Sequence, residues 1–442
     1  MLKTNSSVTM NQAPVTILVI GAGQRAAIYG NWALAHPSLA KVVAVCESNS
    51  KRRANYAAIH TIDDENRYSE YKDIPAGLAD AAIVSTLDQS HSEIVCHLAS
   101  LGYNIMCEKP MATTLSECER MRDAVLANKV LFACGHVLRY SPYTRALKAV
   151  LDTGEIGEII NIVHVEPVGW WHFAHSYVRG NWRNEADSSF SLMTKCCHDV
   201  DLVLHFLHPL RAVRVSSFGS LTHFKQSEKP IEAGDVKNCL DCPVKTSCPY
   251  SATELYITKA KEFDKGWPVS VVCGGAEVDI DNAVDLEDLV TEKLRDEEGG
   301  YGKCVYEIED NDVCDQQVVN IEFEGGKTAS LTMIAFTEAV CQRSTRIHGT
   351  RGEIIGDMST FSVYNFGTKE KRIVDPRNAD EVIDDGTSSH SGGDSGIMEA
   401  FLLAVSTGDQ SKVGCDAHDI FNSHALVFAA EKSRVNGTVI KL

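Results

Sequence analysis

Apolar residues along this chain fall into two kinds of run. From Val15 to Ile20 the order Val-Thr-Ile-Leu-Val-Ile is β-branched and apolar on both faces, which suits a central strand of a parallel sheet. Runs of the same kind recur at Val42 to Val45, Ala81 to Ser85, Asn104 to Cys107 and Val130 to Cys134. Helical patterns lie between them, one reaching about His36, one from Ser92 to Leu101 stopped by Gly102, and one from Leu115 to Ala127. This strand–helix alternation predicts a parallel sheet whose ligands bind beyond the carboxyl ends of the strands. Later the pattern changes. Ser189 to Leu207 predicts a helix ended by His208-Pro209, with Val200, Val203, Leu204 and Leu207 on one face. Asp315 to Phe323 and Lys327 to Phe336 alternate around Glu-Gly-Gly-Lys, which predicts a hairpin.

A chain of 442 residues exceeds what one core serves, so two or three domains are expected. The boundaries that follow are a disordered lead over residues 1–13, a dinucleotide-binding domain over 14–136, and a second α/β domain over 137–442 carrying an insertion at about 222–312. The formal charge of −18 repels a phosphate backbone and excludes nucleic acid as the expected partner. No apolar run reaches the roughly 18 residues that a membrane helix needs, and the N-terminus has no apolar signal core. Fifteen cysteines in such a chain read as reduced thiols of a cytoplasmic protein. Cys46, Cys96, Cys107 and Cys134 read as small buried hydrophobes.

The first strand runs directly into Gly21-Ala-Gly23-Gln24-Arg25-Ala26, and the second ends at Glu47. Gly21 permits a tight turn and Gly23 a close approach of backbone to a pyrophosphate. Ala26 keeps the helix against the strand, and the helix N-terminus offers its N–H groups to the phosphates. Glu47 stands at about the offset of an acid that binds an adenosine ribose, and it would repel a 2′-phosphate. NAD is therefore expected over NADP, although Arg52 and Arg53 follow closely. Thr86-Leu87-Asp88 and Cys107-Glu108-Lys109 also end strands, so topology alone sets Lys109 at the cofactor crevice.

On the predicted helix Thr194, His198 and Asp201 share one stripe, and Lys195 neighbours His198. A histidine suits removal of a hydroxyl proton during hydride transfer, and an ammonium stabilises the developing alkoxide. The plainer reading is a structural histidine bonded to Asp201. Residues 169–183 are rich in Trp171, His172, His175, Tyr177 and Arg179, the stacking faces and donors of a carbohydrate site. A metal reading of His172 and His175 lacks a completing ligand.

The chain resembles the Gfo/Idh/MocA family of sugar and polyol oxidoreductases. The resemblance rests on Gly21-Ala-Gly23-Gln24-Arg25, Thr86 with His91, Glu108-Lys109-Pro110, Arg139-Tyr140, Gly154-Glu-Ile-Gly157, Trp182-Arg183, His198-x-x-Asp201 and Ile347-His-Gly349-Thr-Arg-Gly352-Glu. It implies a Rossmann domain followed by an α/β domain with an open, mainly antiparallel sheet that makes homodimer or homotetramer contacts. It implies cofactor contacts from Thr86, His91, Glu108, Lys109, Trp182 and Arg183. Arg139, Tyr140 and Asp201 are implied on the substrate side, with Lys109 on the reacting hydroxyl. The family's usual Asp four residues before the histidine is Thr194 here, so Lys195 becomes a substrate ligand, a stabiliser or the base. The resemblance implies an NAD-dependent dehydrogenase acting on a secondary hydroxyl of a sugar, glycoside or polyol. Two other outcomes exist among such proteins, an NAD-recycling glycoside hydrolase and a non-catalytic dinucleotide-binding regulator.

A narrower resemblance is to members with Cys-x-x-Cys-Pro and Cys-Pro-Tyr-Ser-Ala in the insertion and His-x-Gly-Gly-Asp near the C-terminus. Here Cys239, Cys242 and Cys248 carry that spacing and His390 to Asp394 the other motif. Three thiols presented to one point suit zinc with a fourth ligand from His223, Cys273 or Cys304. An iron–sulfur cluster lacks a second Cys-x-x-Cys, and a metal-free thiol loop is the simple alternative. Glu277 to Glu298 reads as a solvated acidic helix or mobile segment. His390-Ser-Gly-Gly-Asp394 reads as a helix start able to close over substrate.

Overall fold

The sequence folds into two compact units in the computed structural model, which describes residues 13–274, 280–296, 299–376 and 390–442. Among the described residues the first unit comprises 13–112, 116–137 and 390–421, and the second the remainder.

In the first unit the strands are β1 (Val15–Ile20), β2 (Ala40–Cys46), β3 (Arg67–Tyr68), β4 (Ala81–Val84), β5 (Asn104–Cys107) and β6 (Phe132–Cys134). They form one sheet in the order β3-β2-β1-β4-β5-β6, with every pair parallel. Ile17, Leu18, Val19 and all of β4 are buried, as runs apolar on both faces require. Each such large side chain contributes about 1.5–3 kcal/mol by leaving water. The strand order reverses between β1 and β4, which makes their carboxyl ends the binding crevice.

The division of the fold departs from the expected boundary in one place. The sequence pattern assigned everything after residue 136 to the second domain, yet His390–Phe421 belong to the first unit. The helix Gly393–Thr407 packs on the helix Gln24–Ala35 and on β1. Its buried set, including Ile397, Met398, Phe401, Leu402 and Ala404, needs cover that the first sheet provides. A Cβ on Gly393 would lie 2.4 Å from the Val137 carbonyl oxygen, so the closeness of this packing depends on glycine. Behind the helix, Gln410 accepts from Phe132 N–H at 2.9 Å and donates to the Phe132 carbonyl at 2.8 Å, along the outer side of β6.

The second unit is built on β7 (Ile159–Pro167), β8 (Ala212–Ser220), β9 (Gln316–Phe323), β10 (Thr328–Ile334), β11 (Ser344–Gly349), β12 (Gly352–Gly356), β13 (Phe361–Asn365), β14 (Lys371–Val374) and β15 (Ile440–Lys441). Their order is β14-β13-β12-β11-β7-β10-β9-β8-β15. All pairs are antiparallel except β7 with β10. The expected hairpin is β9–β10, turned by Gly325 and Gly326 at φ 73° and 72°. The helix Ser191–Leu207 lies on β7 and β10 and ends at His208, as its proline predicts.

The insertion shares this core. Tyr256, Val269, Leu286, Val290 and Leu294 join the same apolar cluster as the sheet. The acidic segment is therefore not simply solvated. Its helix, Ala283–Arg295, buries Leu286, Val290 and Leu294 on one face and is capped by Asn282, which accepts from Asp285 N–H at 3.0 Å. Residues 277–279 and 297–298 of that expectation, and the residues just before His390, lie outside the described ones. Among the described residues no helix is long and apolar enough to cross a membrane.

Candidate active site

The glycine turn has the geometry that a pyrophosphate requires. Gly21 has φ +84°, and a Cβ there would lie 2.7 Å from the Ser85 carbonyl oxygen, so only glycine fits between β1 and β4. At Gly23 a Cβ would meet nothing within 4 Å, which leaves open space at the head of the helix. That helix, with Gln24 as its first residue and Ala26 fully buried, has no side-chain cap on its N-terminus. Glu47 is fixed beside the turn by N–H donors from Ala22 at 2.9 Å and Asn49 at 2.8 Å. Arg53 donates to the carbonyls of Glu47 and Ser48, which engages it with backbone rather than with a phosphate.

Other residues expected at the cofactor have different neighbours. Glu108 is buried and accepts from Arg25 Nε at 2.6 Å and the Tyr29 hydroxyl at 2.5 Å. Arg25 Nη2 also donates to Asp394 Oδ1 at 2.5 Å, and Asp394 Oδ2 lies 3.1 Å from His390 Nδ1. Arg25 and Glu108 thus lock the first helical turn to the end of β5, and the His-Ser-Gly-Gly-Asp segment supplies the second anion. That segment is structural within the first unit. His91 is fully buried, with Nδ1 2.9 Å from the Pro110 carbonyl and Nε2 3.3 Å from that of Thr86. It holds the loop after Lys109 against the end of β4.

Burial alone would raise the Glu108 carboxyl, but the Arg25 guanidinium and the Tyr29 hydroxyl outweigh it and hold it low. Burial, His390 and Arg25 leave Asp394 low in the same way. Both groups bind protons less readily folded than unfolded. The stability they contribute is full above the unfolded carboxyl range, about pH 4, and disappears as pH falls through their folded values. The expected result is that wild type resists urea better than Glu108→Gln at neutral pH. That advantage should shrink as the measurements are taken below about pH 4, and an advantage independent of pH would contradict the assignment.

In the second unit the helix Ser191–Leu207 buries Thr194, Lys195, His198, Asp199 and Asp201. Lys195 Nζ lies 2.9 Å from Cys341 Sγ and 3.3 Å from Glu166 Oε1. Glu166 Oε2 lies 2.8 Å from Arg343 Nε, which is 2.9 Å from Asp199 Oδ1. Asp199 in turn lies 2.9 Å from His164 Nε2, whose Nδ1 is 2.8 Å from Thr345 Oγ1. Burial lowers the Lys195 pKa, but Cys341 and Glu166 raise it more, so the ammonium is held above its ordinary value. A lysine in that state stays protonated.

Sequence reasoning missed Glu166, Asp199, Arg343 and Cys341. The available signal was His164 and Glu166, two apart on one strand and so on one face, polar where a covered strand should be apolar.

Several residues expected on the substrate side are engaged within the protein. Arg139 and Asp201 form a buried fork, Nε to Oδ2 at 2.9 Å and Nη2 to Oδ1 at 2.6 Å, so each neutralises the other. Tyr140 is buried beside Arg139 in the turn Val137–Tyr140. His175, Tyr177 and Arg179 are core residues, at most 2% exposed. His175 Nδ1 lies 2.9 Å from the Tyr256 hydroxyl, and burial with Arg179 nearby lowers its pKa to about 3. Tyr177 stacks between Phe173 and Trp182. Trp182 and Arg183 face Tyr177 and Asp310, the latter through Arg183 Nε at 3.0 Å, and so tie this segment to the insertion. Trp171 and His172 remain half-buried, and Trp267 of the insertion joins them with ring centroids 4.9 Å from each. Burial and Lys195 lower the His172 pKa, so this aromatic group is uncharged.

Cys239, Cys242 and Cys248 line one cavity of about 20 Å³ together with Cys304. Of the other expected ligands, His223 lies 3.0 Å from the Tyr306 hydroxyl, and Cys273 is not in the lining.

A turn shaped for a pyrophosphate, an acid ending the next strand and a second unit of mainly antiparallel sheet define an NAD-binding oxidoreductase fold. The chain belongs to the Gfo/Idh/MocA family. Its oxidoreductase NAD-binding Rossmann model matches residues 15–136, and its C-terminal alpha/beta model matches residues 148–442. The chain is 35% identical over 130 residues to inositol 2-dehydrogenase of Pseudomonas fluorescens (strain SBW25), covering 29% of this chain and 39% of that one. It is 27% identical over 150 residues to 2,7-anhydro-N-acetylneuraminate hydratase of Escherichia coli (strain K12), covering 34% and 39%. The matched stretch is thus well under half the length of either relative. Among solved structures, levoglucosan dehydrogenase in complex with NADH and levoglucosan aligns with a TM-score of 0.68 at 17% identity, over 97% of this chain and 99% of that one. At that identity the likeness is one of fold.

Proposed function

We propose that this chain is an NAD-dependent dehydrogenase that moves a hydride between the nicotinamide and a secondary hydroxyl of a sugar, glycoside or polyol. The observation that carries the reading is Lys195, a cation kept charged by Glu166 and Cys341 one turn from His198. Lys195 then serves as an electrostatic stabiliser, which leaves His198 as the proton acceptor, with Lys109 polarising the oxygen. NAD supplies the hydride acceptor; the chain's residues orient the hydroxyl and take its proton. Trp171 and Trp267 offer apolar faces for the sugar ring. The matches to inositol 2-dehydrogenase and to the fold of levoglucosan dehydrogenase support the substrate class. The test is NADH formation across a panel of polyols and glycosides. Failure of the chain to bind NAD would overturn the reading.

The match to the anhydroneuraminate hydratase favours one second reading, transient oxidation of the sugar followed by its re-reduction, which regenerates NAD. Product formation without net NADH would identify it. We further propose that the second sheet joins copies of this chain into a dimer or tetramer. One face is buried, while alternate residues of β9 and β10, such as Val318, Asn320, Ser330 and Thr332, are only partly covered or exposed.

Glu47 sets the preference between the two nicotinamide cofactors in this proposal. Replacing it with alanine removes the ribose acceptor and the charge that repels a 2′-phosphate. Binding of NAD is expected to weaken by about tenfold, roughly 1.4 kcal/mol, with NADP gaining in comparison. Fluorescence titration with both cofactors reads the change, and an unaltered NAD-to-NADP ratio would count against the role.

A further inference from the structure

We infer that the insertion binds one zinc ion on the thiolates of Cys239, Cys242, Cys248 and Cys304, with Arg179 and Lys245 as the cations that offset its charge. Local backbone assembles the four ligands. Asn238 and Lys303 form an antiparallel bridge, Cys239 N–H donates to Gly302 at 2.8 Å and Cys304 N–H to Lys237 at 2.8 Å. Cys304 is thereby brought alongside Cys239, far from it in sequence. Turns bring in the other two, through Cys242 N–H to the Cys239 carbonyl at 3.3 Å and Cys248 N–H to that of Val244 at 2.9 Å. All four line the same cavity of about 20 Å³, room for a single small guest.

Arg179 is an independent pointer. It is 2% exposed, yet among the described residues no carboxylate forms an ion pair with it. Its Nε donates to the Lys303 carbonyl at 2.8 Å, and its Nη2 to the Tyr250 carbonyl at 2.7 Å and to Cys239 Sγ at 3.5 Å. Its Nη1 is buried with no partner. A permanent cation in that position is costly without a nearby anion. Of the three groups to which it donates, two backbone carbonyls and the Cys239 sulfur, only the sulfur can carry a negative charge. Four thiolates around a divalent ion leave two negative charges. Arg179 and Lys245, which also lines the cavity, supply two positive ones.

Binding forms four metal–sulfur bonds and releases four thiol protons to solvent, with no change in oxidation state. No three of these sulfurs lie within 4.8 Å of one another. The ion must therefore draw them in, by side-chain rotation, to the bond length of about 2.3 Å. Four soft sulfur donors select zinc over hard cations.

The full chain, purified under reducing conditions without chelator, should contain one zinc per chain by elemental analysis. After exchange for cobalt it should show the intense visible bands of tetrahedral thiolate coordination. Cys304→Ser should lose the metal, while Cys273→Ser, in the same insertion but outside the cavity, should keep it. Wild type that neither carries zinc nor binds added zinc or cobalt stoichiometrically would overturn the inference. So would a cobalt spectrum without thiolate bands, or metal retained in a folded Cys304→Ser chain. None of these readouts depends on enzymatic activity.

Discussion

Asp199→Ala is expected to destabilise the second unit by about 3–5 kcal/mol, the range for breaking a buried charge network from one side. Glu166 and Asp199 are 0% exposed and face Lys195 and Arg343, at 8% and 4%, so two anions meet two cations away from water. Burial would raise the Asp199 carboxyl, but Arg343 and His164 hold it well below its usual range, so it carries its charge at neutral pH. Without it the two cations share Glu166 alone. Asp199→Asn keeps the shape and loses the charge, and should fall nearly as far. The measurement is urea unfolding followed by tryptophan fluorescence. A loss under about 1 kcal/mol, the scale of an exposed ion pair, would mean that the network carries no such weight.

The second large effect is catalytic. In the proposed reaction His198→Ala removes the proton acceptor while leaving the glycine turn and Glu47 untouched. Turnover should fall by about 10²- to 10⁴-fold, the usual contribution of a positioned general base. NAD affinity should stay within a factor of about two, since the variant touches only the proton-transfer step. Lys195→Met should also lose turnover, because it removes the cation that stabilises the developing alkoxide in the proposed reaction. Turnover retained in His198→Ala would assign the proton to another group.

The first sheet was legible because its runs were apolar on both faces and its glycines fell at strand ends, where geometry can leave no other residue. Gly21 is such a position, judged from the sequence for the same reason that the coordinates give. The return of Gly393–Thr407 to that sheet was not legible. A helix apolar on most of its surface announces that it will be covered, not what will cover it. The site was legible one helix at a time. Lys195 and His198 share a helix, so spacing relates them. Glu166, Cys341 and Arg343 join Lys195 across long loops that no period records. Arg179 was misjudged because a charged side chain among aromatics reads alike as a sugar ligand and as a buried cation. Only its 2% exposure distinguishes them.

The amide of Gln410 has one further consequence. Phe132 turns its N–H and carbonyl away from β5, where a seventh strand would otherwise add, and Gln410 occupies both positions. A side chain thus imitates the neighbouring backbone that an unguarded sheet recruits from another molecule. Chains of this protein should resist strand-to-strand clumping at that margin even when crowded, a protection resting largely on one glutamine.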